Sequence, residues 1–386
     1  TADPGGAKGM VDVTLSWNGE SKSWGYFGHD ALGDGPNPIG FWDFNLDIGD
    51  GTTIDNVYGL VGQLRNGAAF TDDAHEGTAM DMTDGNNQHV HVAAGEFLNI
   101  ASSVNQVTVA FWQKNYATPN TSSFWAEPGR AMQAHVPWSN AQIYWDTAGC
   151  CGAGTQRINA DATDIGGWGE DMLNTWHHYV FVKNEDAKEI WIDGELFHDG
   201  DNINPLPSDI THLNIGGDAA GNNSLRGVID DFAVFASALD EDQIMALAEG
   251  DRSILPAAPT APIFVSAAPD TATADGSAQL SVILYKRADD ATGAQLSVNG
   301  KDVATEVATD GTTITITGTA TDIASGTAVA TVSYNGQSTS WTISVPERAI
   351  NNGDGTLTFD NHLAWEWWDG IGGAHPMENL TENARY

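Results

Sequence analysis

Basic residues are scarce in this sequence of 386 residues, which holds 15 Lys and Arg against 52 Asp and Glu and carries a net charge of −37. A surface this acidic repels the phosphates of nucleic acids and the anionic head groups of lipids. Long apolar runs are also missing, since no stretch reaches the roughly 18 consecutive apolar residues of a membrane-spanning helix. We therefore expect neither nucleic-acid binding nor membrane insertion, and the composition suits a saline exterior.

Cysteine is nearly absent, because the only two are the neighbours Cys150 and Cys151. They are too few for a disulfide scaffold and wrongly spaced for a zinc site. They lie between Gly149 and Gly152, which give room to the strained ring that a disulfide between neighbours forms. In an oxidising exterior we predict this vicinal disulfide, with a reduced pair as the alternative. Low Cys and Lys with high Gly, Asn, Asp and Thr resembles a bacterial extracellular β-protein, so we expect a secreted or cell-surface location.

The sequence is rich in the alternation that is typical of β-strands. Short runs such as VTVAFWQK, HHYVFVK and TITITGTA are separated by DG, NG and GG turn dipeptides. One segment, 238–248, predicts a helix, because Asp240 stands at its N-cap and Gly250 follows its end. A proline-rich stretch over 251–262 indicates a stiff linker between domains. The predicted fold class is therefore all-β.

An internal repeat involves the first residues of the chain. Residues 9–24 (GMVDVTLSWNGESKSW) and 326–341 (GTAVATVSYNGQSTSW) are identical at eight of sixteen positions. Both predict a strand, an Asn-Gly turn and a second strand. Hairpins resemble one another in general, but here the final Trp and the polar positions also recur in register. We therefore assign residues 1–24 to the closing hairpin of an upstream immunoglobulin-like module and 25–38 to a linker.

Seven segments between residues 39 and 250 occur in the order of a known family: GFWDFN, GLVGQLRNGAAF, DMTDGNNQHVHV, VTVAFWQK, WHHYV, IWIDG and GVIDDFAVFASALDEDQI. Seven such matches in order over this length are specific. Residues 39–250 therefore resemble the laminin-G-like, concanavalin A-type jelly-roll family. The resemblance implies a concanavalin A-like jelly-roll sandwich of two antiparallel sheets.

Two further resemblances concern the rest of the chain. Residues 263–346 resemble a bacterial immunoglobulin-like β-sandwich in size, alternation and proline-rich beginning. Residues 347–386 contain a linker and the segment LAWEWWDGIGGAHPMENLTENARY, which resembles the start of the carbohydrate-binding sandwich first described in anthrax protective antigen. Together with the repeat, this implies an excerpt of a large modular surface protein that is cut at both ends.

The catalytic motif of jelly-roll glucanases is missing. Retaining glycosidases need two carboxyls about 5–5.5 Å apart, and in the glucanase branch of this fold a Glu-x-Asp-x-Glu strand supplies them. The nearest candidates here, Asp193 and Glu195, lie at a predicted DG hairpin turn. The sequence also lacks a nucleophile elbow, a metalloprotease helix and a phosphate loop. We therefore predict a protein without enzymatic activity.

Calcium is the ion that acidic loops favour, because its ligands are the oxygens of Asp, Asn and backbone carbonyls. In jelly rolls of the resembled type a cation clips the first strand to the closing strand, which implies Asp43 and Asp230 as ligands. The loop that carries Asp81 and Asp84 is a second candidate. The alternative at each place is a solvated turn acid. The predicted cofactor is a structural calcium ion.

An insertion over residues 117–168 is unusually rich in aromatic residues and is the candidate ligand site. Aromatic rings stack on the apolar face of a sugar, while carboxylates and amides bind its hydroxyls. The candidate residues are Trp125, Trp138, Trp145, Asp146 and Trp168, with Asn140 and Arg157 nearby. Side chains alternate along a strand, so only one of Tyr144 and Trp145 faces inward. Packing in the core is the alternative for each ring.

These observations predict a non-catalytic segment of a secreted or cell-surface modular protein that binds a glycan or another surface ligand through its laminin-G-like module. The alternative is a stalk or filament subunit whose modules are spacers and self-associate into a fibre. A remote alternative is the accessory region of a polysaccharide-degrading enzyme. Glycan binding separates the first two, because a pure spacer should bind none.

Overall fold

The computed structural model describes residues 9–17, 20–29, 31–118, 120–347, 349–351 and 357–359. The chain divides into two compact units, Thr1–Ala258 and Pro259–Tyr386. Antiparallel strands account for most of the regular structure in the described ranges, which confirms the all-β prediction. The helices found in these ranges are too short or too polar to cross a bilayer.

The described strands of the first unit are β1 (Gly9–Trp17), β2 (Glu20–Gly28), β3 (Pro38–Trp42), β4 (Thr52–Ile54), β5 (Val61–Arg65), β6 (Ala69–Thr71), β7 (Ala79–Asp81), β8 (His89–Val92), β9 (Gln106–Asn115), β10 (Phe124–Glu127), β11 (Met132–His135), β12 (Gln142–Thr147), β13 (Arg157–Asp161), β14 (Trp176–Asn184), β15 (Ala187–Ile192), β16 (Glu195–Asp201), β17 (His212–Ile215) and β18 (Gly227–Phe235). Its α-helices are α1 (Asn99–Val104) and α2 (Glu241–Ala248), and short 3-10 helices span Gly95–Leu98 and Ala162–Ile165.

Two large antiparallel sheets form the sandwich of the first unit. Sheet A has the strand order β13-β12-β11-β10-β17-β8-β5-β4, and sheet B has the order β16-β15-β14-β9-β18-β7-β6, with β3 also paired to β18. Phe124 of sheet A meets Phe111, Phe181 and Phe232 of sheet B at ring-centroid distances of 5.9–6.2 Å. These rings are at most 1% exposed, and burying each contributes about 1.5–3 kcal/mol. The core therefore lies between the two sheets.

Helix α2 covers the other face of sheet B. Phe235 of β18 and Ile244 of α2 belong to one buried cluster. With both faces covered, all nine residues of β18 are buried, which explains why its sequence does not alternate strictly. The helix begins after Asp240, whose side chain accepts the backbone N–H of Gln243 at 2.9 Å. The predicted cap is therefore confirmed, and the capping box fixes where the chain enters the helix.

Two lysines lie buried next to each other in sheet B. Lys183 of β14 pairs with Lys188 of β15, and their exposed fractions are 0% and 1%. Lys183 Nζ donates to the carbonyl oxygen of Asn202 (2.8 Å), and Lys188 Nζ donates to that of Gln156 (3.0 Å). Burial lowers the pKa of Lys183 to about 8 and that of Lys188 well below its usual range. Both amino groups are held inside the unit by backbone carbonyls.

The second unit is a smaller two-layer β-sandwich. Its described strands are β19 (Ile263–Ala268), β20 (Ala278–Tyr285), β21 (Gln295–Val298), β22 (Lys301–Val303), β23 (Glu306–Asp310), β24 (Thr313–Ala320), β25 (Gly326–Tyr334), β26 (Gln337–Val345), β27 (Ala349–Asn351) and β28 (Leu357–Phe359). One sheet has the order β19-β20-β24-β23 and the other β22-β21-β25-β26. Leu280 and Ile316 of the first and Leu296 and Ile343 of the second are fully buried in a common core. The immunoglobulin-like assignment of this sandwich stays a prediction.

The repeated segments both form hairpins, and their registers agree. Trp17 pairs with Glu20 in the β1–β2 hairpin, and Tyr334 pairs with Gln337 in the β25–β26 hairpin, each 317 residues later. Among the described residues, β1 and β2 pair with each other and with neither sheet A nor sheet B. The domain boundaries stay predictions, and the predicted start of a carbohydrate-binding module falls on residues 360–386, outside the described residues.

Candidate functional site

The outer face of sheet A carries a continuous row of polar and aromatic side chains. Cross-strand pairing places Trp125 of β10 opposite Gln133 of β11, Gln133 opposite Asp146 of β12, and Asp146 opposite Arg157 of β13. Pairing with β17 extends the row to Asn214. Because side chains alternate along a strand, these residues face away from the core that their strand neighbours fill. Sequence alternation therefore gives sheet A one apolar face and one face of polar and aromatic side chains.

A cavity of about 260 Å³ lies on this outer face. Its floor is formed by strands β10 to β13, which run as a meander of successive antiparallel pairs. The turns 128–131 and 148–156 therefore lie at one end of the strands, and the turn 136–141 lies at the other. The cavity is lined by Trp125, Arg130, His135, Trp138, Tyr144, Cys151, Arg157, Asp218 and Asn223.

His135 lies at the centre of the aromatic side chains of the cavity. Its ring centroid is 4.5 Å from that of Trp138 and 6.0 Å from those of Trp125 and Tyr144. His135 is 5% exposed, and its Nδ1 lies 3.2 Å from the carbonyl oxygen of Thr121. Burial lowers the pKa of His135 to about 4, because the surroundings disfavour the imidazolium. The His135 ring is therefore neutral at pH 7.

A buried ion pair supports one side of this cluster. Asp146 is 0% exposed, and its two carboxylate oxygens accept hydrogen bonds of 2.6 Å each from Nε and a terminal nitrogen of Arg157. Gln133 Nε2 donates a further bond of 2.6 Å to the same carboxylate. The Arg157 guanidinium then lies 4.4 Å from the ring centroid of Tyr144. Such bidentate pairs are strong and directional, so Asp146 positions Arg157, and Arg157 supports the Tyr144 ring.

The structure separates the five predicted glycan ligands. Trp125 and Trp138 line the cavity, and Tyr144 faces it in place of its neighbour. Trp145 does not, because it is 0% exposed, packs in the core and donates its indole N–H to the carbonyl of Val182 at 3.1 Å. The expectation that Trp145 offers a stacking surface is therefore wrong.

The remaining two predicted ligands are also outside the cavity wall. Asp146 is covered by its hydrogen-bond partners, so it acts behind the cavity and not as a surface carboxylate. Trp168 is half-buried against the core and donates its indole N–H to the carbonyl of Ala141 at 3.1 Å. It is not among the residues that line the cavity.

Sequence reasoning missed four residues of the cavity. Arg130 and His135 belong to the β10–β11 segment, and alternation with Gln133 could have indicated His135. Asp218 and Asn223 come from the loop after β17, and only the pairing of β17 with β10 brings them near. The Asp218 carboxylate accepts the backbone N–H of Ala220 (2.9 Å) and the side-chain amide of Asn223 (2.8 Å). That loop is therefore closed by its own aspartate.

The two cysteines belong to the same region. Cys150 and Cys151 are joined in a disulfide. Cys151 has a φ of +75°, a backbone conformation that is uncommon for a residue with a side chain. It is exposed and lines the cavity.

The predicted calcium ligands Asp43 and Asp230 lie at the junction of β3 and β18. Asp43 Oδ2 accepts the side-chain amide of Asn56 at 2.8 Å, and both oxygens of Asp230 accept backbone N–H groups. The adjacent Asp231 forms an ion pair with Arg252. Burial raises the pKa of Asp231, and the negative charge of Asp230 raises it further.

Calcium needs about six to eight oxygen ligands. Within the part of the chain that the structure describes, no group of three or more His, Cys, Asp and Glu side chains converges as metal ligands. The Oδ1 atom of Asp231 is buried there without a hydrogen-bond partner, whereas the oxygens of Asp43 and Asp230 accept bonds from the chain. At the second candidate, Asp81 Oδ1 accepts the backbone N–H of Thr83 at 2.7 Å, and Asp84 is exposed. Calcium binding stays a prediction.

The fold defines a class of protein, the jelly-roll sandwich, here with a cavity on the outer face of one sheet. Residues 84–245 match the sequence model of the Laminin_G_3 family, described as the concanavalin A-like lectin/glucanases superfamily. This match confirms the resemblance that the sequence motifs indicate. No curated protein matches the chain.

Three solved structures show a distant likeness to the chain. Domain 4 of AbnA, a GH43 extracellular arabinanase from Geobacillus stearothermophilus in complex with arabinotriose, is 17% identical with a TM-score of 0.42, covering 55% of this chain and 98% of that one. The binding domain of botulinum neurotoxin DC in complex with rat synaptotagmin II is 12% identical with a TM-score of 0.41, covering 84% and 77%. Trypanosoma rangeli sialidase is 17% identical with a TM-score of 0.41, covering 56% and 33%. We infer no ligand from these likenesses.

Proposed function

We propose that the first unit binds a glycan in the cavity on the outer face of sheet A. The observation that carries this proposal is the combination of half-buried Trp138 and Tyr144 rings with polar groups in one cavity of about 260 Å³. Rings of this kind pack on the C–H face of a sugar. Arg130 and Asn223 supply donors for the hydroxyl groups at the same cavity.

Binding without catalysis is part of the proposal. A glycosidase needs two carboxyls that can exchange protons with a substrate or a water molecule. Asp146, behind the cavity, is held by Arg157 and Gln133, and Asp218, which lines the cavity, closes its own loop. These assignments support a binding site. We further propose that the protein acts outside the cell, where disulfides persist.

The test is binding of the full chain to a panel of neutral oligosaccharides that includes maltotetraose, cellotetraose, mannotetraose and xylotetraose. Tyr144→Ala should weaken the strongest interaction at least tenfold, because it removes the ring that Arg157 supports. Tyr285→Ala is a matched control, since Tyr285 is a half-buried tyrosine of the second unit. The alternative function, a self-associating stalk, predicts that no oligosaccharide binds, and that result would overturn the proposal.

A further inference from the structure

The end of the cavity that carries the disulfide is tied together by backbone hydrogen bonds. The N–H of Gly149 donates to the carbonyl of Arg130 at 3.0 Å, and the N–H of Ala148 donates to the carbonyl of Ala131 at 2.9 Å. The turn 148–156 and the turn 128–131 are therefore one structural unit. Arg130 in turn lies with its guanidinium 5.1 Å from the ring centroid of Trp125.

The same turn also holds Arg157. The carbonyl of Gly152 accepts the N–H of Gln156 at 2.8 Å and that of Arg157 at 3.0 Å. Gln156 Nε2 donates to the carbonyl of Ala148 at 2.9 Å. Gly149 has a φ of +111°, a backbone conformation that residues with a side chain rarely adopt, so the position before the cysteines favours glycine. These hydrogen bonds therefore hold the turn in shape independently of the disulfide.

One half of the disulfide, Cys151, belongs to the wall of the cavity. Cys151 is exposed and lines the cavity together with Trp138 and Tyr144. A disulfide has neither a charge nor a hydrogen-bond donor, and its sulfur atoms are polarizable. Dispersion contacts with the C–H groups of a ligand are therefore the interaction that it offers.

We propose that the Cys150–Cys151 disulfide is a ligand-contacting wall of the cavity, where its sulfur atoms pack on the C–H face of a pyranose ring. This inference rests on the proposed glycan binding and deepens it, because it assigns the contact surface at the end of the cavity opposite Trp138. Opening the disulfide removes the rigid apolar contact, while the hydrogen bonds of Gly149, Gln156 and Arg157 still hold the turn.

Reduction with a phosphine gives a balanced test of this role. Tris(carboxyethyl)phosphine and one water convert the disulfide to two thiols, and the phosphine becomes its oxide. The full chain is titrated with the strongest binder of the oligosaccharide panel before and after this treatment, and again after reoxidation. We expect reduction to raise Kd at least tenfold and reoxidation to restore it. The Cys150→Ser/Cys151→Ser variant should bind as weakly as the reduced protein and should not respond to the phosphine.

Gln156→Ala is the matched control for a role in the turn alone. It removes the side-chain bond that closes the turn and leaves both sulfur atoms in place. A larger loss of affinity in Gln156→Ala than in the double cysteine variant would show that turn geometry, and not sulfur contact, carries binding. A melting curve of each variant establishes that the first unit is folded.

A second readout follows the contact directly. A bound oligosaccharide that covers the sulfur atoms should slow the reduction of the disulfide, measured by thiol titration over time. Binding that is unchanged by reduction, or reduction that is equally fast with and without the sugar, would overturn this inference while leaving glycan binding established. A wild-type protein that binds no member of the panel would overturn both proposals.

Discussion

The buried pair of Asp146 and Arg157 allows a quantitative prediction about stability. Asp146→Asn keeps the shape of the side chain but removes its charge, so one of the two Arg157 hydrogen bonds is lost and an amide N–H faces a donor. Arg157 is left without a counter-ion, and the Arg157 side chain is only 20% exposed. Removing one partner of a buried pair costs about 3–5 kcal/mol, and the partial exposure of Arg157 places this pair near about 3 kcal/mol.

In a unit of this size, about 1 kcal/mol shifts the melting temperature by roughly 2–4 °C, so the first unit should melt about 6–12 °C lower in Asp146→Asn. Differential scanning calorimetry of the full chain measures this transition. Asp209→Asn is the matched control, because Asp209 is exposed and should change stability by less than about 0.5 kcal/mol.

A double-mutant cycle tests the reasoning behind the magnitude. Arg157→Met in the Asp146→Asn background removes the stranded cation, so it should recover part of the lost stability. A melting temperature of Asp146→Asn within about 2 °C of the wild type would refute the assignment of the pair as a structural anchor. Strictly additive effects in the cycle would refute the coupling between the two residues.

Three further predictions concern protons, calcium and thiols. Burial holds the pKa of His135 at about 4, below its usual value of about 6.5, so the stability that neutral His135 contributes is present above pH 6.5 and is lost as the pH falls from 6.5 to 4. The free energies of unfolding of the wild type and of His135→Gln should therefore converge over that interval. An NMR titration that places the pKa of His135 near 6.5 would contradict this prediction. If calcium binds at Asp43 or Asp230, chelator should lower the melting temperature by several degrees, and an unchanged melting point would exclude a structural role. Thiol titration of the denatured, unreduced protein should find no free thiol, and mass spectrometry should find an intact mass two hydrogens below that of the reduced chain. Two titratable thiols would show that Cys150 and Cys151 are reduced.

The sequence predicts the fold of this protein well, because the fold depends on local patterns. The alternation in VTVAFWQK becomes β9, and Asp240 caps α2. The Asn-Gly dipeptide predicts the β25–β26 hairpin, whose turn places Asn335 at a φ of +47°. Each of these signals is carried by a few consecutive residues.

The candidate site is only partly predictable, because its members meet through pairing that is non-local. The aromatic insertion identifies Trp125 and Trp138, but the register of β12 decides that Tyr144 and not Trp145 faces outward. Asp218 approaches from a strand nearly 90 residues away in the sequence, through the pairing of β17 with β10. The charge of Asp146 also suggested a surface ligand, whereas its carboxylate is paired with Arg157 inside the sheet.

The paired lysines of sheet B have a consequence for how the protein meets proteases. Trypsin needs a basic side chain on an accessible segment that can open into its cleft, and the whole chain has only 15 Lys and Arg. Lys183 and Lys188 lie inside adjacent strands, and Arg157 is fixed to a buried carboxylate. While the first unit stays folded, these three cations are therefore protected from a protease that cuts after basic residues, and the amines of Lys183 and Lys188 are protected from chemical coupling.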